Sequence, residues 1–261
     1  MSDFAKESGH WYQRDGSPCY TMTGKNGKER NTTLRDARTM DLLPSVTTIM
    51  REANKPGLNN WLVDQAILAA LTLAREENES DKSYLARVKK DAAEHGKQAA
   101  EKGTHIHGVV ERGLSGETVP IQDAIFVELA KAELDKECPN VIWSHEKSFA
   151  ADRFAGKCDL HGEDEDIEFS EAPDENQFVL DIKTNEKPVD KAVLYDEHYM
   201  QLAAYSVGLF DGELVQCGIL FINHRDMESK IVWADAHKLN KGWEMFKALT
   251  DFWYAKTQLG R

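Results

Sequence analysis

The sequence predicts a mixed α/β (α+β) architecture in which helices cover a central β-sheet. Three observations carry that expectation. Stretches between residues 57 and 137 repeat their apolar residues at helical spacing. Three consecutive strand-like segments follow between 141 and 184, the last with clear alternation. One more helical stretch, two short strands and a closing helix come after them, with no internal repeat and no long Pro/Gly/Ser linker. With 261 residues the chain can bury a sizeable core. A single domain is expected: an N-terminal hairpin and helical extension over 1–80, a core over 81–236, and a C-terminal helix over 237–261.

The elements follow in order. The first forty residues carry two turn signals, Asp15-Gly16-Ser17-Pro18 and Lys25-Asn26-Gly27-Lys28, which predict one or two short hairpins. Pro44 and Ser45 precede the apolar run Val46 to Met50 and suggest a turn opening a helix. A helix over 57–77 carries Trp61, Leu62, Ala66, Ile67, Ala69, Ala70, Leu73 and Ala74, a stripe expected to be core. A second helix over 81–111 is expected to stop at Gly113. A third, near 121–137, is stopped by Pro139. Strands are expected over 141–150, 153–161 and 177–184, then a helix over 191–210, strands over 215–223 and 230–234, and a last helix over 237–256. That helix presents Trp243, Phe246, Leu249, Phe252 and Trp253 on its apolar side.

Composition narrows the class. Apolar residues at 41 % and charged residues at 30 % are ordinary for a globular protein. No apolar run reaches 18 residues, so no membrane span is expected. The start lacks a secretory stretch and carries acids, which reads as cytoplasmic. Cys19, Cys138, Cys158 and Cys217 lack C-x-x-C spacing, which argues against zinc, an iron–sulfur cluster or a disulfide framework. The net charge of −13 speaks against a nucleic-acid binder. Its distribution softens that objection. Residues 161–176 hold eight acids and no Lys or Arg, and without them the balance is −5. Such a run reads as a solvated loop, or as an acidic flap that discourages misplaced DNA.

The third strand is the informative one. Along Phe178-Val179-Leu180-Asp181-Ile182-Lys183-Thr184, alternation sends Phe178, Leu180 and Ile182 one way, and Val179, Asp181 and Lys183 the other. Alone, Asp181 and Lys183 read first as a surface ion pair across two strand positions. The preceding strand ends Gly156-Lys157-Cys158-Asp159. If the two strands pair, Asp159 and Asp181 lie side by side. Adjacent carboxylates repel unless a cation neutralises them, and hard oxygen ligands suit Mg²⁺ or Mn²⁺. A neighbouring lysine can orient water or stabilise charge developing on a phosphate. On the long helix, His107 and Glu111 are four apart and share a face. They can reach a metal, or form a helix-end pair. Gln201 and Tyr205 also share a helical face, as phosphate contacts, as braces for the lysine, or as a polar edge.

The ordered set Gly103-x-x-x-His107-x-x-x-Glu111, Gly156-x-x-Asp159, Asp181-x-Lys183 and Gln201-x-x-x-Tyr205 resembles the PD-(D/E)XK nuclease superfamily, in its RecB-like branch. Leu43 to Met50, with Trp61 downstream, is similar to phage exonucleases of that branch and to the mitochondrial genome maintenance exonuclease. The resemblance spans residues 44–205. It implies a restriction-endonuclease-like αβββαβ core and a Mg²⁺ or Mn²⁺ site held by His107, Asp159, Asp181 and the main-chain carbonyl of Ile182. Lys183 would be the catalytic lysine and Glu111 a supporting acid, while Gln201 and Tyr205 would organise the site or the DNA. Glu146, on the first strand, is a further candidate acid with no motif position behind it. The second-strand motif departs from the pattern by placing Cys158 where an apolar residue is expected, a small and tolerable change. No iron–sulfur cluster is expected, because the four-cysteine spacing of some relatives is missing.

The expected function is metal-dependent hydrolysis of DNA from single-stranded or frayed ends. The alternatives are a structure-specific endonuclease, a non-catalytic DNA-binding module and a hydrolase of small phosphate esters. DNA is the expected partner, with a recombination or replication protein as a further candidate, and a phage-encoded origin with action in the host cytoplasm fits. Phage recombination, replication and repair all fit as settings. Lys183, Lys187, Lys191 and Arg153 are candidate phosphate contacts. Trp11, Tyr12 and Trp61 are weighed as stacking platforms for bases against a place in the core.

Overall fold

A computed structural model describes residues 9–164 and 176–260. The chain opens with β1 (Trp11–Tyr12), the hairpin strands β2 (Thr21–Thr23) and β3 (Glu29–Asn31), and helix α1 (Leu34–Met40). Then come β4 (Leu43–Pro44), which pairs antiparallel with β1, and the single turn α2 (Val46–Ile49). Ser45 starts that turn, its hydroxyl accepting the Thr48 N–H at 3.0 Å. Two long helices follow, α3 (Pro56–Thr72) and α4 (Asp81–Leu114), then α5 (Ala124–Glu137). Strands β5 (Val141–Ala150), β6 (Ala155–Asp164) and β7 (Gln177–Asn185) lead into α6 (Asp196–Leu209). The described chain closes with β8 (Gln216–Asn223), β9 (Glu228–Trp233) and α7 (Ala236–Thr257).

The last five strands form one mixed sheet in the order β5-β6-β7-β8-β9. Neighbours run antiparallel except β7 and β8, which are parallel and joined by α6. A parallel pair needs such a crossover. Both faces are covered. On one, Ile106 and Val110 of α4 and Phe126, Ala130 and Leu134 of α5 pack on Leu160, Leu180, Ile182, Leu220 and Ile231. On the other, Leu202 and Ala203 of α6, Phe246 and Trp253 of α7, and Val46 and Ile49 of α2 pack with Val179, Cys217 and Ile219. The mixed α+β arrangement follows from these two cores.

Several local expectations are corrected. Gly113 does not stop α4, which runs on to Leu114. A Cβ at position 113 would stand 2.3 Å from Val127, so the glycine lets α5 approach. The helix expected from 191 begins at Asp196, after a 3₁₀ turn over Val189–Lys191 and an extended stretch. Phe252 is 55 % exposed, one position off the stripe formed by Phe246, Thr250 and Trp253. Helix α1 was not foreseen, although Thr33 and Asp36 form a capping box there. The stripe on α3 is not core: Ala69 is its one buried residue, and Leu62, Ile67 and Leu71 are exposed. Of the eight-acid run, Glu163 and Asp164 lie on β6, and the part over 165–175 lies outside the described residues.

Candidate active site

The site forms where two strands part. β6 and β7 pair from Glu163↔Gln177 up to Leu160↔Leu180, and their ladder goes no further. The next β7 donor, the Ile182 N–H, instead donates to Asp159 Oδ2 at 2.8 Å. Strand β6 also turns over here: Cys158 joins the core under α6, whereas Leu160, two residues on, joins the core under α4. Regular alternation would put both on one face. The neighbouring strand shows the same break. β5 pairs with β6 on both sides of Glu146 but not at it, and Glu146 has φ 52°, a left-handed conformation uncommon outside glycine.

Three elements bring side chains to this fork. Helix α4 crosses β7 closely at Gly103, where a Cβ would come within 3.0 Å of Thr184 Oγ1. One turn later His107 places Nε2 3.0 Å from Asp159 Oδ2. The imidazole therefore engages Asp159 rather than forming an isolated pair with Glu111, which adds negative potential beside it. Strand β7 supplies Asp181, only 2 % exposed, which corrects the surface-pair reading. Helix α6 supplies Gln201, whose Nε2 donates to Asp181 Oδ1 at 2.7 Å and to the Tyr205 hydroxyl at 3.0 Å. Lys183 Nζ lies 2.6 Å from Asp181 Oδ2, but off the direction of a hydrogen bond, so that buried oxygen accepts none.

The electrostatics follow from burial opposed by charge. Burial pushes the Asp181 carboxyl up to about 6, with Lys183 acting against it and Asp159 adding to it. Burial also works to raise Asp159, but the His107 hydrogen bond and charge, with the Ile182 N–H, hold it below the ordinary carboxylate value. The Asp159 hydrogen bond outweighs burial and raises His107. Burial lowers Lys183, but Asp181 and Asp159 outweigh it and hold the ammonium protonated. Each acid thus faces one basic side chain, Asp159 the His107 imidazole and Asp181 the Lys183 ammonium.

A cation fits this chemistry. Two carboxylates and an imidazole meet at one fork, and the Lys183 ammonium stands against Asp181 Oδ2 where a metal ion would also be attracted. Among the described residues, no three His, Cys, Asp or Glu side chains stand ready-arranged around one point. His107 and Asp159 are turned toward each other instead. A cleft of about 330 Å³ opens over the fork, lined by Ala100, Gly103, Thr104, His107, Ile182, Lys183 and Thr184.

Other expected residues are placed as follows. Gln201 and Tyr205 are 8 % and 5 % exposed; they brace Asp181 from below and offer no surface to a phosphate. Glu146 pairs with Lys157. Trp11 is buried in the core against Trp253 of α7 and Tyr12 beside Leu43 and Ala155, so neither can stack on a base. Arg153 is committed to Asp251 and the Tyr254 ring on α7. Trp61 packs near Gly96 between α3 and α4. His198 was not singled out from sequence. Burial, Lys183 and Lys55 lower it to about 4, and its Nδ1 accepts the Tyr195 N–H, so the neutral ring sits beside the Lys183 ammonium. Its place one turn before Gln201 was the available signal.

The fold and site define a class of arrangement: two aspartates at a strand fork, one of them fully buried, beside an imidazole and a lysine. No family model matches the chain, and no curated protein matches it. Among solved structures, the crystal structure of LHK-Exo in complex with dAMP is similar at 11 % identity, over 77 % of this chain and 98 % of that one, with a TM-score of 0.29. A likeness at that score carries no argument about chemistry.

Proposed function

We propose that this chain is a divalent-metal-dependent deoxyribonuclease of the PD-(D/E)XK, RecB-like kind, degrading DNA from single-stranded or frayed ends. The observation that carries the reading is the meeting of His107, Asp159, Asp181 and Lys183 at the fork between β6 and β7. The run α4, α5, β5, β6, β7, α6, β8 supports a restriction-endonuclease-like αβββαβ core, with α5 inserted after the first helix.

His107, Asp159 and Asp181, with the Ile182 carbonyl, would hold Mg²⁺ or Mn²⁺. When bound, such an ion supplies Lewis acidity to a phosphate oxygen and eases proton loss from water. The chain's own groups do the rest. Gln201 and Tyr205 fix the direction of Asp181. Lys183 stays protonated, so it serves as a fixed positive charge and not as a base. Its side chain is 38 % exposed and reaches the cleft. There it offsets charge that gathers on the phosphoryl oxygens as a water oxygen bonds to phosphorus. The bond from phosphorus to the leaving sugar oxygen breaks, that oxygen takes up a proton, and the proton lost by the water passes to solvent. Glu111 adds negative potential that favours a cation near His107.

The test compares linear DNA with covalently closed circles in Mg²⁺ or Mn²⁺. Linear DNA is expected to be digested and circles to survive. Cutting of circles would assign an endonuclease, and turnover of small phosphate esters without DNA cleavage would reject the DNA reading. Lys183→Ala is expected to lower turnover by about 10²–10³-fold, the scale of one lost electrostatic group. A fully active Lys183→Ala protein would refute the mechanism.

A further inference from the structure

We propose that Lys157 is a second phosphate-binding lysine of this site, held in position by Glu146, which grips the backbone phosphate next to the one that is cut. The assignment rests on the nuclease reading above. The geometry begins with the strand reversal at Asp159. Cys158 points into the core beneath α6, so its neighbours Lys157 and Asp159 project to the opposite face. That is the face from which His107 of α4 meets Asp159. Lys157 and Asp159 are two strand residues, about 6.6 Å of backbone, apart, a separation comparable with that between neighbouring backbone phosphates.

Lys157 is also built into place. Its ammonium is paired with the Glu146 carboxylate, and their side chains are 36 % and 22 % exposed. An ordinary surface ion pair needs no special backbone. Here the partner is the one residue of β5 with positive φ, and it drops out of the β5–β6 ladder opposite Asp159. Backbone of that kind in a non-glycine residue persists where surrounding structure enforces it, and it clusters at functional sites. Lys183 repeats the pattern on the other strand, one lysine two residues from one aspartate, held by a carboxylate. One lysine thus stands on each of the two strands that part at the fork.

The experiment measures binding apart from cutting. Anisotropy of a fluorescein-labelled single-stranded oligonucleotide is followed in Ca²⁺ across a salt series, for wild type, Lys157→Gln, Lys157→Arg and Glu146→Gln, beside their thermal midpoints. Lys157→Gln is expected to weaken binding about fivefold to tenfold and to flatten the log–log salt slope by about 0.7, the value of one phosphate contact on a single strand. Lys157→Arg restores the slope. Glu146→Gln keeps the slope, because the lysine remains, but raises KM in Mn²⁺ digestion because the lysine is no longer held. An unchanged salt slope in Lys157→Gln overturns the proposal, even with a lowered midpoint, and makes the pair structural. In that case intact cutting by wild type leaves the nuclease reading standing. Wild-type protein that neither binds nor cuts the oligonucleotide overturns both.

Discussion

Helices α3 and α6 are alike in sequence: each is apolar over most of its circumference. Their surroundings differ completely. In α6 an unbroken run from Tyr199 to Ser206 is buried, because the helix lies between the sheet and α7. In α3 only Ala69 is buried, because the helix leans on the first part of α4, against Val88 and Ala92. Leu58, Leu62, Val63, Ile67, Leu68 and Leu71 all remain exposed. Hydrophobicity without a stripe says that a helix can be covered on every side. Topology decides whether it is.

The sharpest way to test that contrast is to truncate one leucine in each helix. Leu202 is fully buried in α6, and Leu202→Ala is expected to cost about 2–5 kcal/mol. That corresponds to a fall in Tm of roughly 5–15 °C for a chain of this size. A change under about 1 kcal/mol in chemical denaturation would mean that α6 is not the packed helix described. Leu71, 77 % exposed on α3, gives the opposite extreme. Leu71→Ser is expected to leave stability within about 0.5 kcal/mol. A loss of 2 kcal/mol or more, or a change in sedimentation, would show that the α3 face is covered in solution.

Between those extremes lies an effect carried by the fork itself, by Asp181 beneath α6 and His107 on α4. The Asp181 carboxyl is raised to about 6. Its contribution to stability is therefore full below about pH 4 and is lost as the pH rises through 6. His107, raised by Asp159, acts in the same sense: its contribution is full below its ordinary value and fades above its raised one. Ligand binding to the native state raises Tm by mass action. Mn²⁺ is therefore expected to raise Tm more at pH 7.5 than at pH 5.0, where protons occupy the same groups. A shift of equal size at both values would remove Asp181 and His107 from the cation's ligand set.

Much of the sheet was legible in the sequence. β5 is placed at 141–150, where branched and aromatic residues open the run, and β7 to within a residue, because apolar and polar residues alternate along it. That alternation also put Asp181 and Lys183 on a shared face, and helical spacing put Gln201 above Tyr205. What escaped was everything set by a break in periodicity. Nothing in the residues around Asp159 or Glu146 announces that β6 turns over or that Glu146 adopts φ 52°. The engagement of His107 with Asp159, in place of a pair along its own helix, joins positions 52 residues apart and depends on how α4 crosses the sheet. For Trp11 and Tyr12 the core reading holds: Trp11 packs against Trp253 of α7, and Tyr12 beside Leu43 and Ala155.

Helix α4 joins the two contrasted regions, and its length has a mechanical consequence. Its 34 residues extend for about 50 Å. It is anchored through Val88 and Ala92 at one end and Ile106, Val109 and Val110 at the other, and no residue from 93 to 105 is buried. Between those anchors the helix touches its neighbours at few points, among them Gly96 beside Trp61 and Gly103 beside Thr184. Every residue of an α-helix adds about 1.5 Å and a rotation of about 100°. Lengthening that middle stretch by two residues would turn the part of α4 on which α3 packs by about 200° relative to the fork. Lengthening it by a full turn would keep its bearing and only move it outward.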